Sequence, residues 1–124
     1  MVNTILRVFL PFTGEQMSVF SRRLKEARKT AGLSQERLGI ESGIDPASAS
    51  ARMNQYENDK HTPNSLTVVQ IATALNLPAA YFHSVDDDEA RLLVLFYRLD
   101  APRKKRVLAL AVELHGTHNT FYKD

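Results

Sequence analysis

The sequence predicts an all-α fold, a five-helix bundle followed by a two-helix C-terminal extension, spread over 124 residues. Three observations predict it. Apolar residues recur at helical spacing from Ser18 onward, the signature of helices with one buried face. Helix-starting and helix-stopping residues punctuate that pattern at short intervals: Ser34, Asp45-Pro46, Asn64 and Asp100 as starts, Gly32, Gly43, Pro78 and Gly116 as stops. No strand-rich region and no internal repeat interrupts the body of the chain. The length suits one domain with a short appendage, divided here into an N-terminal arm (1–17), a helical bundle (18–84) and a helical pair (85–124).

The first helix runs from Ser18 to Ala31, with Phe20, Leu24, Ala27 and Ala31 on one side and Arg22, Arg23, Lys25, Arg28 and Lys29 on the others. Ser34 caps a short second helix, Gln35 to Ser42, closed by Gly43. Asp45 caps a third helix from Pro46 to Asn58, because proline at the first helical position loses no hydrogen bond. Asn58 to Pro63 is a loop by composition. Asn64 starts a fourth helix to Leu75, with Leu66, Val69, Ala72 and Leu75 on one face. Pro78 to Phe82 forms a very short fifth helix. Asp86-Asp87-Asp88-Glu89 begins the next, where negative charge complements the helix dipole; its stripe is Leu92, Leu95, Phe96 and Leu99. Asp100-Ala101-Pro102 turns the chain into a last helix, Arg103 to Leu114. Its apolar arc is wider than one core-facing stripe needs, so one side is expected to pack inward and the other on a second chain.

Composition narrows the function. Hydrophobic residues make up 44% of the chain, enough for a packed core, and cysteine is absent. That excludes disulfides and thiolate chemistry and suits a reducing compartment. No segment is long and apolar enough to span a bilayer. Met1 to Pro11 lacks a secretory pattern, so the expected location is cytoplasmic. Residues 1–16 read either as a strand-like arm on a partner chain or as a dispensable segment ahead of a start at Met17. The net charge of +2 does not itself indicate nucleic acid; the placement of charge must decide.

The specific signal is Leu33-Ser34-Gln35-Glu36-Arg37-Leu38-Gly39, then Gly43-Ile44, Tyr56-Glu57-Asn58 and Pro63, preceded by Arg28-Lys29-Thr30-Ala31-Gly32. Over residues 18 to 82 this resembles the phage-repressor and Cro-like, or xenobiotic-response-element, helix-turn-helix family. The residues themselves support a helix-turn-helix. Gly39 lets two helices cross closely, Gly43 permits a turn that bulkier residues resist, and Leu38, Ile44 and Met53 plug the space between the helices. In one departure, the stretch from Gly43 to Glu57 is longer than is usual in the family by roughly one helical turn. Either the third helix is lengthened at its start, the simpler account, or the turn before it is.

The resemblance implies a lambda-repressor-like bundle that binds double-stranded DNA, with the helix 46–58 in the major groove. Met53, Tyr56 and Ala49 face the core, which leaves Ser48, Ala51, Arg52 and Gln55 outward and Ser50 and Asn54 at the flanks. Arginine grips guanine, glutamine grips adenine and alanine touches a thymine methyl. Arg52 and Gln55 are therefore the expected base readers, with Ala51, Ser50 and Ser48 weaker candidates. The family places a phosphate contact at Gln35, at a helix N-terminus suited to anions. Arg28, Asn58, Lys60 and His61 would flank the groove on the backbone. Arg22, Arg23 and Lys25 read as a solvated face. The expected protein is a transcriptional regulator, most simply a repressor acting as a homodimer on an approximately palindromic operator. The alternatives are an antitoxin of the same fold, or a protein-interaction module that binds no DNA.

Other signals carry less. His115 and His118 have a metal-compatible spacing but no third ligand nearby, and Asp86 to Glu89 lacks the glycine and terminal glutamate of a calcium loop. No nucleophile, base and orienting group occur together, so an enzyme is not expected. No cofactor is indicated, and nothing speaks for or against a small-molecule effector. The Arg103-Lys104-Lys105-Arg106 cluster opens a helix, where positive charge opposes the dipole. It is expected to be solvated or paired with the Asp86 to Glu89 acids.

Overall fold

The structure, a computed structural model, describes residues 17–116. Residues 1–16 of the expected N-terminal arm and the tail after Gly116, including His118, lie outside these residues. Six α-helices and one 3₁₀ turn follow in order: α1 (Val19–Thr30), α2 (Gln35–Glu41), α3 (Ala49–Glu57), α4 (Ser65–Ala74), the 3₁₀ turn (Ala79–His83), α5 (Asp87–Tyr97) and α6 (Ala101–His115). Among the described residues there is no strand. The bundle is the expected set of five helical pieces with the expected two-helix extension.

Most starts are capped as the sequence indicates. Ser18, Ser34, Asn64, Asp86 and Asp100 each accept a hydrogen bond from a backbone N–H of the first turn, which satisfies amides that no carbonyl reaches. Helices of this length are marginal alone, so packing must hold them. Leu24, Leu38, Met53, Ile71 and Phe82 form the centre, each fully buried. Phe20 packs on Phe82 with ring centroids 5.4 Å apart.

Gly39 lies where α2 meets α3. A β-carbon there would come within 2.8 Å of the Ala49 Cβ and 2.9 Å of its carbonyl oxygen, so no larger residue fits without displacing backbone. Gly43 closes α2 at φ +88°, a conformation that favours glycine. Leu38, Ile44 and Met53 fill the space between the helices as expected.

Five expectations need correction. The third helix does not begin at Pro46. Residues 46–48 form a turn in which the Asp45 carboxylate accepts from the Ala47 N–H at 2.8 Å and the Asp45 carbonyl from the Ser48 N–H at 2.9 Å. The extra residues therefore lengthen the turn, because the aspartate side chain bonds its own loop rather than capping the helix. On α4 the inward face is Val68, Ile71, Ala72 and Leu75, while Leu66 and Val69 are exposed. The phase is set by where α2 and the 3₁₀ turn lie.

Arg23 is not solvated; it is 3% exposed. It donates to the carbonyls of Ser84 and Val85 at 3.0 and 3.3 Å and meets Asp87 at 2.9 Å, tying α1 to the start of α5. The acids that begin α5 therefore do not pair with the cluster at 103–106. Arg22 and Arg23 take Asp87, and Arg103 pairs with Asp100. Nor does α6 pack inward: none of its residues is buried.

Candidate nucleic-acid interface

The outward face of α3 is defined by what its inner face does. Ala49 and Met53 are fully buried, and Tyr56 and Glu57 nearly so. Glu57 is the firmest anchor. Its carboxylate takes a two-pronged bond from Arg28, Nε to Oε2 at 2.5 Å and Nη2 to Oε1 at 3.0 Å, while Arg28 Nη1 donates to the Leu33 carbonyl at 2.8 Å. Ionised, fork-to-fork bonds of this kind are the strong ones. The hydrogen bond to Glu57 holds the Arg28 pKa above its ordinary value, against the opposing effect of burial.

This corrects the phosphate role expected of Arg28. Each of its guanidinium nitrogens is bonded inside the protein, so it fixes α3 against α1 and faces no groove. A second brace joins the same helices. The Asp59 carboxylate accepts from the Ser18 N–H at 2.7 Å and the Ser18 hydroxyl at 2.6 Å, and the Ser21 hydroxyl lies 2.7 Å away. Burial pushes this carboxyl up, but those bonds together hold it below the usual range. Asp59 adopts φ +58°, which turns the chain sharply after α3.

Held this way, α3 presents Ser50, Ala51, Arg52 and Asn54 to solvent, with Gln55 half-buried at the edge. Arg52 is steadied from its own helix, donating from Nη2 to the Tyr56 hydroxyl at 2.8 Å with its guanidinium 5.9 Å from that ring's centre. Beside it lies a polar hollow of about 450 Å³, lined by Arg52, Gln55, Tyr56, His61, Thr62 and Asn64 among others. An exposed helix face with an arginine fork, an amide and a methyl group offers the donors, acceptor and apolar contact that base edges complement.

The remaining expected residues divide. Ser48 is half-buried in the turn before α3, off the outward face. Gln35 stands at the start of α2, but its amide nitrogen faces Asn54 Oδ1 at 3.2 Å and Glu57 Oε1 at 3.3 Å. In this arrangement an anion at Gln35 would meet its backbone N–H. Asn58 turns its side chain back on Asn54, donating to the carbonyl at 2.8 Å and to Oδ1 at 2.9 Å. Lys60 and His61 are exposed, their N–H groups closing the helix end on the Gln55 carbonyl.

Sequence reasoning missed Tyr56 as a support for Arg52, although their i, i+4 spacing is a usable signal. It also missed Thr62, Asn64 and Thr67, which line the hollow. Only the sharp turn at Asp59 brings them beside α3, and no local pattern reveals that.

Residues 21–86 match the family model of a helix-turn-helix domain, and the chain belongs to that family. Among solved structures it is similar to one described as the transcriptional regulator BswR, at 42% identity and a TM-score of 0.68, over 77% of this chain and 92% of that one. No curated protein sequence matches.

Proposed function

We propose that this protein is a sequence-specific DNA-binding transcriptional regulator that acts as a homodimeric repressor. The observation that carries the reading is α3, held by a buried Arg28–Glu57 pair on one side while Arg52 and Gln55 stand outward on the other. The helix-turn-helix family and the transcriptional-regulator neighbour support the DNA-binding role. The reading is of a binding protein rather than an enzyme, in the cytoplasm, where its DNA would be. No helix among the described residues is long and apolar enough to cross a membrane.

In this reading α3 enters the major groove, Arg52 and Gln55 contact base edges with Ala51 and Ser50 beside them, and Lys60 and His61 meet the backbone. Two copies would place their α3 helices in successive major grooves about 34 Å apart on an approximately palindromic site. Occlusion of polymerase would then repress transcription.

Selection of bound sequences from a random DNA pool tests the reading. The expected outcome is a two-fold-related motif that Arg52→Ala degrades at fixed positions. Recovery of no enriched sequence would defeat it.

A further inference from the structure

The two C-terminal helices diverge from the turn at Leu99 and Asp100 and leave an apolar cleft of about 280 Å³ between them. It is lined by Leu92, Leu93 and Phe96 of α5 and by Val107, Leu108 and Ala111 of α6. The surface continues outward: Leu92, Leu95, Leu110 and Leu114 are each more than half exposed. Contiguous apolar surface of this kind marks a docking site.

The charges choose the occupant. Asp88 and Glu89, at the open end of the cleft, make no ion pair among the described residues, and neither do Lys105 and Arg106, at its closed end. Within one chain the clusters are held apart by the length of α5, 11 residues or about 16 Å. A neighbour with the opposite charge at each end satisfies both.

The geometry points to a second copy of this chain, docked antiparallel so that the closed end of each cleft lies at the open end of the other. Lys105 and Arg106 of each copy then face Asp88 and Glu89 of its partner, and the four helices share one apolar centre. A side-by-side arrangement would set 103–106 against itself. The inference rests on the homodimer proposed above and specifies its interface.

Sedimentation of the full chain without DNA tests it, using the variants Asp88→Lys/Glu89→Lys and Lys105→Glu/Arg106→Glu. The parent chain is expected to dimerise. Each variant alone should weaken its own dimer at least about tenfold, because like charges then meet. The equimolar mixture should restore opposite charges at both contacts, one in the original sense and one reversed, and associate more tightly than either variant alone. A monomeric parent, a variant that dimerises as the parent does, or a mixture no tighter than its components would overturn the arrangement. DNA binding is read separately by the pool selection, so a dimer that binds no DNA and a DNA binder with another interface are distinguishable.

Discussion

Arg28 and Glu57 show how one pair of side chains can orient a helix. Glu57 is 1% exposed, and removal of one partner from a buried ion pair typically costs about 3–5 kcal/mol. Glu57→Gln should therefore lower the denaturation midpoint by a corresponding amount while leaving the denaturant slope unchanged; a loss under about 1 kcal/mol would show that the pair is not a clamp. Asp59 predicts a pH dependence. Its carboxyl is held below the usual range in the folded chain. Its contribution is therefore present above the unfolded carboxylate pKa of about 3.9 and is lost as pH falls further toward the folded value. Thermal unfolding followed from pH 5 downward should show Asp59→Asn losing less stability than the parent below about pH 4. Asparagine also tolerates the positive φ there. Parallel acid limbs would refute the assignment. Arg52, Gln55 and the Arg28–Glu57–Asn58 neighbourhood were legible as special residues, but not the division of labour among them. Arg23 reads as part of a solvated face and Arg28 as a contact to the DNA backbone, and both proved to be internal braces. An arginine with a buried carboxylate or carbonyl in reach is indistinguishable in sequence from one in water.

Among the elements, the α2–α3 crossing depends on one hydrogen atom at Gly39. Gly39→Ala gains up to about 1 kcal/mol of helix propensity, but its methyl would lie 2.8 Å from the Ala49 Cβ. Overpacking of this kind costs about 1–3 kcal/mol. A lowered Tm is expected; a raised one would mean that the crossing can yield. Helix positions followed from caps and stops because those signals act within a few residues. The start of α3 did not. Asp45-Pro46 suits a helix start and an aspartate turn alike, and the outcome depends on Ala49 having to sit against Gly39. The phase of α4 failed for a similar reason. Leu66, Val68, Val69 and Ile71 cover most of the helix circumference, so hydrophobicity alone cannot choose its inward side.

For the whole molecule, the bundle and the C-terminal pair differ in how they are held. The bundle encloses a core to which α5 adds Ala90 and Val94, and α5 is further moored by Arg23 with Asp87 and by Arg98 donating to the Asn76 and Leu75 carbonyls at 3.1 and 3.4 Å, whereas α6 adds nothing to that core. Because α6 buries no residue, a chain truncated after Leu99 should melt close to the parent at concentrations too low for association. At higher concentrations the parent alone should gain Tm, since binding of folded partners stabilises them. A truncated chain already unfolded at 25 °C would contradict this division. DNA affinity should fall steeply with salt, since phosphate contacts release counterions. A flat dependence would argue against backbone contacts at Lys60 and His61.

What could be read from the residues alone was most of the short-range structure: the all-α class, the number and order of helices, the caps other than that of α3, the close crossing at Gly39, the turn at Gly43 and the family resemblance. These depend on steric and hydrogen-bonding rules that operate within one or two helical turns. The tertiary arrangement decided which polar groups are buried, where α3 begins and which face of α4 is covered. It also left α6 with none of its residues buried. Those outcomes depend on neighbours distant in sequence, whose positions are set only when all the helices pack together.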